Sequence, residues 1–241
     1  MPVLQDKIIL VVGGATGIGR ATARLCSECG AKLIIADLAA DEGQKAAAET
    51  GGLFIQVNIT DETQVTALAQ KVSDTYGRVD VLIHTAGILQ GAFVPLAEFS
   101  VETFRRVWDV NVTGTFLVVQ HITPLLKKSQ RGVAILTSSG AATGGSSSFA
   151  YGSSKGGVTS FAITLANRLE SEGIRVNVLS PGNIDTAMKR SVIAADAEMR
   201  GVDYEQSLAS SRLGSPEGIA KILAFLASDD ADYVRGVIST R

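Results

Sequence analysis

Tyr151 and Lys155 stand at the two ends of Tyr151-Gly152-Ser153-Ser154-Lys155, a spacing of about one helical turn, which puts a phenol and an ammonium on one helix face. Neither group is useful alone at neutral pH, since a free tyrosine titrates near ~10 and a lysine near ~10.4. Beside a cation in a partly dry pocket the phenolate is favoured, so the tyrosine pKa is expected to fall toward a range useful for giving or taking a proton. The same spacing also fits an ordinary helix with the ring in a core and the lysine in water, so the pair needs partners. Two are present: the serines Ser138-Ser139 upstream of it, and the glycine-rich segment Gly13-Gly14-Ala15-Thr16-Gly17-Ile18-Gly19 near the N-terminus.

That segment follows an apolar run, Ile8-Ile9-Leu10-Val11-Val12, and precedes a helical pattern. Glycines there let the backbone turn tightly and approach a pyrophosphate, while the helix N-terminus offers free N–H groups and the positive end of a dipole. The spacing Gly13-x-x-x-Gly17-x-Gly19 differs from G-x-G-x-x-G, and Arg20-Ala21 stand where a P-loop needs Lys and Ser or Thr, which disfavours an NTPase. Asp37 ends the next apolar run, some ~20 residues beyond the loop, where a carboxylate accepts hydrogen bonds from adenosine ribose hydroxyls and repels a 2′-phosphate. With Leu38 after it and an uncharged Thr16 in the loop, NAD is expected rather than NADP.

These side chains need a frame. The chain has 241 residues, enough for one domain with a substantial core. Its formal charge of −2, with no basic stripe, removes the electrostatic basis for nucleic-acid binding. No basic leader opens the chain and no apolar run approaches the ~18 residues of a membrane span, so a soluble cytoplasmic protein is expected, with no membrane partner. Cys26 and Cys29 form a C-x-x-C without a second pair or nearby His, and read as small helix residues; no metal site is expected.

Apolar β-rich runs at 8–12, 32–36, 54–57, 79–83, 133–137 and 175–179 alternate with helical patterns at 17–29, 41–50, 62–75, 101–128, 150–172 and 216–227. The rhythm predicts an α/β fold: a single doubly wound, Rossmann-type domain with a central parallel sheet of about seven strands, helices on both faces, and ligands at the strands' carboxyl ends. Asp61 and Ser215 read as N-caps, Pro216 as a first helical residue, and Gly30 and Gly173 as helix stops. Residues 187–214 mix Met188, Ile193, Met199, Tyr204 and Leu208 with charges; too long for an ordinary connection, they are expected to form a mobile substrate lid.

Together, Gly13, Gly17, Gly19, Asp37, Tyr151 and Lys155 resemble the short-chain dehydrogenase/reductase family. The resemblance runs over nearly the whole chain, through Ala86-Gly87, Asn111 in Val110-Asn111-Val112, Ser138-Ser139, Pro181-Gly182 and Arg212-Leu213-Gly214-Ser215-Pro216-Glu217. It implies that Tyr151 is the proton donor or acceptor, that Lys155 lowers its pKa and holds the nicotinamide ribose, that Ser139 orients the substrate oxygen, and that Asn111 completes a water-linked proton relay. It also implies a cofactor site formed by Gly13, Thr16, Gly17, Ile18, Gly19, Asp37, Asn58, Ile59, Ala86, Gly87, Tyr151, Lys155, Pro181, Gly182, Ile184 and Thr186.

The interval from the serine pair to Tyr151 is one residue shorter than is usual in that family. Counting back from Tyr151 gives Ser138, whereas aligning forward through Ala141 and Gly145 gives Ser139 and puts the shortening in the loop at 146–150. Ser139 is preferred; Ser147 or Ser148 matter only if that loop folds inward. The residues support these roles physically, because hydride transfer to or from carbon makes or consumes an alkoxide that needs a proton and a donor. Asn111, an amide within an apolar helix, needs buried partners, which a neighbouring carbonyl would also supply. Val12, Asn58 and His84-Thr85 depart from the family pattern. Asn58 keeps an amide oxygen that can accept, and His84 is expected to be a packed strand-end residue.

The function expected first is NAD-dependent hydride transfer between nicotinamide and a small secondary alcohol or ketone, with Tyr151 as general acid/base. A non-catalytic dinucleotide-binding regulator has no need of the full set Asn111, Ser139, Tyr151 and Lys155. A 3-oxoacyl-carrier-type reductase using NADPH draws on the basic cluster Lys127, Lys128 and Arg131, against which Glu172 stands. Leu89, Phe93, Met188 and Tyr204 suggest a largely apolar substrate pocket, with Asn183 as a polar contact. A homo-oligomer, tetramer or dimer, paired through the helices at 111–128 and 150–172, is implied by the resemblance.

Overall fold

The structure, a computed structural model, describes residues 2–240. The six apolar runs become strands β1 (Ile8–Val12), β2 (Lys32–Asp37), β3 (Leu53–Gln56), β4 (Val81–His84), β5 (Val133–Thr137) and β6 (Arg175–Ser180), and Gly236–Ser239 adds β7. They form one seven-stranded sheet in the order β3-β2-β1-β4-β5-β6-β7, every neighbouring pair parallel. Parallel strands need crossovers, supplied by helices α1 (Gly17–Glu28), α2 (Ala40–Thr50), α3 (Glu62–Tyr76), α4 (Val101–Trp108), α5 (Gly114–Leu126), α6 (Ala141–Gly144), α7 (Phe149–Leu169), α8 (Ala187–Arg200), α9 (Tyr204–Ser210) and α10 (Pro216–Ala227).

Both sheet faces are buried, which is why the strands show no polar alternation. Ile8, Leu10 and Val12 of β1 point into a core shared with α3, α5 and α7. Ile9 and Val11 point into a second core shared with α1, α2 and α10. Strand order reverses between β1 and β4, so the chain leaves those two strands in opposite directions and opens a crevice at their carboxyl ends. The expected punctuation is present. Asp61 accepts hydrogen bonds from the N–H groups of Thr63 and Gln64, Ser215 accepts one from Gly218, and Gly30 and Gly173 adopt φ values of 92° and 71°.

One expected element changes. The helix expected at 101–128 is interrupted by a π-helical turn, Asp109–Thr113, with Asn111 at its centre; such a turn marks a site where side-chain bonding outcompetes regular helix, and the bonds of Asn111 supply the cause below. Residues 187–214, the segment of the expected lid, form α8 and α9, hung from a closed neck. Ile184 pairs with Gly214 as a parallel bridge, Asp185 N–H donates to Gly214 O at 2.8 Å, and Gly214 N–H donates to Asn183 O at 2.8 Å. Among the described residues no helix is long and apolar enough to cross a membrane, and no group of three His, Cys, Asp or Glu side chains is placed to hold a metal.

Candidate active site

The glycine loop sits at the switch point because only glycine fits there. A Cβ on Gly13, whose φ is +81°, would lie 2.4 Å from Ala86 N, and one on Gly19 would lie 2.0 Å from Gly13 O. Thr85 ties the two strand ends together, its hydroxyl donating to Val12 O at 3.0 Å or Gly13 O at 3.1 Å. Asp37 closes the far side of the loop: one carboxylate oxygen accepts from Ala15 N–H and the other from Ala39 N–H, each at 3.0 Å. A carboxylate has about four acceptor sites, so half remain for a ligand. Arg20 is drawn away from the cleft by Glu42 at 2.9 Å and Glu49 at 2.6 Å.

Every residue expected at the cofactor site lines one continuous cleft of about 1300 Å³, and Ser139 lines it too. A small-molecule site commonly measures ~300–1,000 Å³, so this one has room for a dinucleotide and a second molecule. The bare backbone at Gly13, Gly17 and Gly19, the α1 N-terminus and the Asp37 carboxylate fit such a group. Asn58 differs from its expected use: its amide oxygen accepts from both the N–H and the hydroxyl of Thr60, which occupies the acceptor.

At the other end, α7 brings Tyr151 and Lys155 to the same wall. The Lys155 ammonium lies 5.8 Å from the centre of the Tyr151 ring and donates to Thr137 O at 2.9 Å. Lys155 is almost fully buried, and desolvation pushes its pKa down to about 8. The expected fall at Tyr151 does not follow in the protein alone: burial pushes the phenol above its ordinary value, and the Ser139 hydroxyl beside it pulls the other way. Burial of the phenol is the larger of these two effects.

The serine pair divides its work. Ser138 is buried, its hydroxyl donating to Lys155 O at 2.9 Å and sharing a hydrogen bond of 2.7 Å with Thr159, which locks α7 to β5. Ser139 faces the cleft, accepting only from Ala141 N–H at 3.2 Å. Of the expected catalytic and cofactor residues, Asn111 alone lies behind the cleft rather than in its lining. Its amide oxygen accepts from Ile88 N–H at 2.8 Å, and its amide nitrogen donates to Ile88 O at 2.9 Å and Ser154 Oγ at 3.0 Å. The Thr115 hydroxyl donates to its main-chain carbonyl at 2.7 Å. Asn111 thus pins the loop after β4 against α7.

The loop at 146–148 does fold inward. Ser148 Oγ donates to Gln90 O at 2.6 Å and accepts from Tyr151 N–H at 3.2 Å, so it caps α7 where the tyrosine sits. Phe93 N–H donates to Ser147 O at 2.7 Å. Phe93 holds φ at +62°, a region that aromatic residues rarely adopt. Leu89, Met188 and Asn183 line the cleft as expected, whereas Phe93 faces a side chamber and Tyr204 lines neither. The substrate end is less apolar than expected, since Ser146, Ser147 and Lys189 join Asn183 there. Ser148 carried a readable signal, a serine at the start of a helix, and Phe93 one as an apolar pocket residue; Lys189 carried none.

His84 is packed at the end of β4 as expected. Its Nε2 is buried without a partner among the described residues, and burial followed by the Lys155 charge pushes its pKa down to about 3.

A family model described as enoyl-(acyl carrier protein) reductase matches residues 13–240. Tropinone reductase-like 2 of Erythroxylum coca is 36% identical over 242 aligned positions, covering 97% of this chain and 88% of the relative. The 3-oxoacyl-[acyl-carrier-protein] reductase FabG of Thermotoga maritima is 34% identical, covering 98% and 96%. Among solved structures, that of levodione reductase superposes with a TM-score of 0.88 at 29% identity, covering 98% of this chain and 96% of that one.

Proposed function

The chain belongs to the short-chain dehydrogenase/reductase family of dinucleotide-dependent oxidoreductases, and from that premise we propose that it interconverts a small secondary alcohol and its ketone, with NAD as the hydride carrier. The observation that carries this reading is the convergence of Ser139, Tyr151 and Lys155 on the same cleft that the glycine loop and Asp37 enter. In this reading the loop backbone and α1 hold the pyrophosphate, Asp37 holds the adenosine ribose, and Lys155 holds the second ribose. Bound nicotinamide supplies the hydride donor or acceptor.

The remaining chemistry belongs to the side chains. Ser139 donates a hydrogen bond to the substrate oxygen and fixes it against the Tyr151 hydroxyl, which delivers a proton to a forming alkoxide or removes one from an alcohol. Lys155, still mostly protonated near neutral pH, supplies a positive charge on one side of the phenol. Asn111 is a positioning residue whose amide is engaged at both its oxygen and its nitrogen; a water-linked relay would run through its main-chain carbonyl. The α8–α9 unit, tied at its neck, serves as the lid over the substrate.

A carrier-protein substrate is disfavoured, because two of the three basic residues of the cluster are paired internally. Lys127 pairs with Glu172, and Arg131 pairs with Asp232 at 2.7 Å. We further propose a homo-oligomer, tetramer or dimer, supported by the exposed rings of Phe104, Phe116 and Phe149 and by Ile163 on α4, α5 and α7; light scattering tests it. For the activity, a panel of secondary alcohols and ketones is followed by NADH absorbance, with NADPH as control. Turnover with NADH is expected, and a preference for NADPH would overturn the reading of Asp37.

A further inference from the structure

Helices α8 and α9, together with Phe93, line a second, open chamber of about 380 Å³ beside the cleft. Lys189 and Val192 line both spaces, so they form the shared wall. The three basic side chains after Met188 on α8 are not equivalent. Arg190 is clamped by Asp185 at 2.6 Å, and Arg200 is paired with Asp196 at 3.1 Å. Lys189, half-buried, makes no ion pair or side-chain hydrogen bond among the described residues.

Asp196 and Arg200 also line the chamber and are paired with each other, so the one acidic group there is already answered. A partly desolvated cation without a counter-charge favours an anion that can reach it. The neighbouring wall is mixed, with Phe93, Val192 and Ile193 apolar and Gln206 and Ser207 able to hydrogen-bond. Phe93 is held in its rare backbone conformation by the same loop that caps α7 at Tyr151, so the chamber wall and the tyrosine are built from one unit.

Resting on the oxidoreductase reading above, we propose that this chamber is a carboxylate subsite and that the substrate is a hydroxy or oxo acid. Lys189 takes the carboxylate, the apolar body lies against Val192 and Phe93, and the reacting carbon sits in the cleft beside Tyr151. One free ammonium suits a monoanion better than a phosphate dianion, because the two arginines of α8 are already committed. Lys189 is thereby a specificity-determining residue.

The test uses oxo acids of graded chain length, each paired with its primary amide. Wild-type protein is expected to prefer an acid over its amide by roughly tenfold or more in KM, the scale of one charge-assisted hydrogen bond. Lys189→Gln should remove that preference by raising KM for the acids alone, with kcat, the amides and NADH affinity unchanged, and Lys189→Arg should keep it. Equal use of acid and amide, an equal loss on both, or weakened NADH binding in Lys189→Gln would overturn the assignment, the last by placing the ammonium on the cofactor. If no pair turns over, the same pairs are titrated calorimetrically into protein saturated with NADH. Acid-selective binding lost in Lys189→Gln upholds the subsite while the activity reading falls; no acid-selective binding overturns the subsite itself.

Discussion

The two ends of the cleft are built from different materials. At the β1–α1 end the ligand-facing surface is main chain, and the side chains are glycines whose Cβ atoms would strike backbone, as at Gly13 against Ala86 N and Gly19 against Gly13 O. At the α7–α9 end the surface is side chain, drawn from separate segments: Ser139 after β5, Tyr151 on α7, Leu89 after β4 and Lys189 on α8. Backbone recognition admits few sequences, whereas side-chain recognition admits many on the same scaffold. The first end therefore declares a ligand class, and the second distinguishes one family member's substrate from another's.

Glycine substitutions give the sharpest way to break that contrast. Gly19→Ala is expected to abolish NADH binding and to cost at least ~3 kcal/mol of stability, lowering Tm by roughly 6–12 °C, because the clash is with backbone that cannot yield. Gly144→Ala, where a Cβ meets nothing within 4 Å, should leave both unchanged. Normal NADH binding by Gly19→Ala in fluorescence titration would show that the loop is not the rigid half.

At the catalytic end the contrast is electrostatic. Burial holds the Lys155 pKa at about 8 in the folded protein, below the ordinary 10.5. Between those values the unfolded chain holds more protons than the folded one, so this group's contribution makes stability rise with pH across that window. Tyr151, whose folded pKa is raised, acts in the opposite sense only above its ordinary value near ~10. Lys155→Met, which has no charge to bury, should be the more stable protein at pH ~7.5, with the gap narrowing by roughly 2–3 kcal/mol toward pH ~10. Urea unfolding curves at several pH values check this, and parallel stability profiles would contradict it.

A smaller effect separates the cofactor from its phosphorylated form. Asp37→Ser with Leu38→Arg should shift the kcat/KM ratio toward NADPH by roughly tenfold or more, the effect of exchanging a repelling carboxylate for an attractive guanidinium. An unchanged ratio would remove Asp37 from the ribose site. Smallest is Ser148→Ala, which removes the α7 cap and should cost ~1 kcal/mol in denaturant unfolding, with turnover falling because the Tyr151 turn frays. Loss of stability with full turnover would detach the cap from the catalytic geometry.

How far each part was legible follows the same division. The strands, the parallel order of elements and the caps at Asp61 and Ser215 depend on short-range patterns, and they stand close to where the residues placed them. The break in the helix at 101–128 was not legible, because Asn111 is held by Ile88, more than five helical turns away in the chain, and by Ser154 on α7. Tyr151 and Lys155 were readable as a pair, but the direction of the phenol's shift depends on how deeply both groups are buried. Lys189 looks like any surface lysine until Arg190 and Arg200 are seen to be occupied. The side chamber exists only because the Ser147–Ser148 loop reaches back to Gln90 and Phe93.

Deuterium transfer from 4-deuterated NADH to a ketone, read by mass spectrometry for wild type and Tyr151→Phe, tests the proton-and-hydride pairing directly. Wild type should yield the monodeuterated alcohol, and Tyr151→Phe should bind NADH with normal affinity while transferring label ~10²–10⁴ times more slowly. Label transfer at the wild-type rate in Tyr151→Phe, or none in wild type across the whole ketone panel, would contradict it.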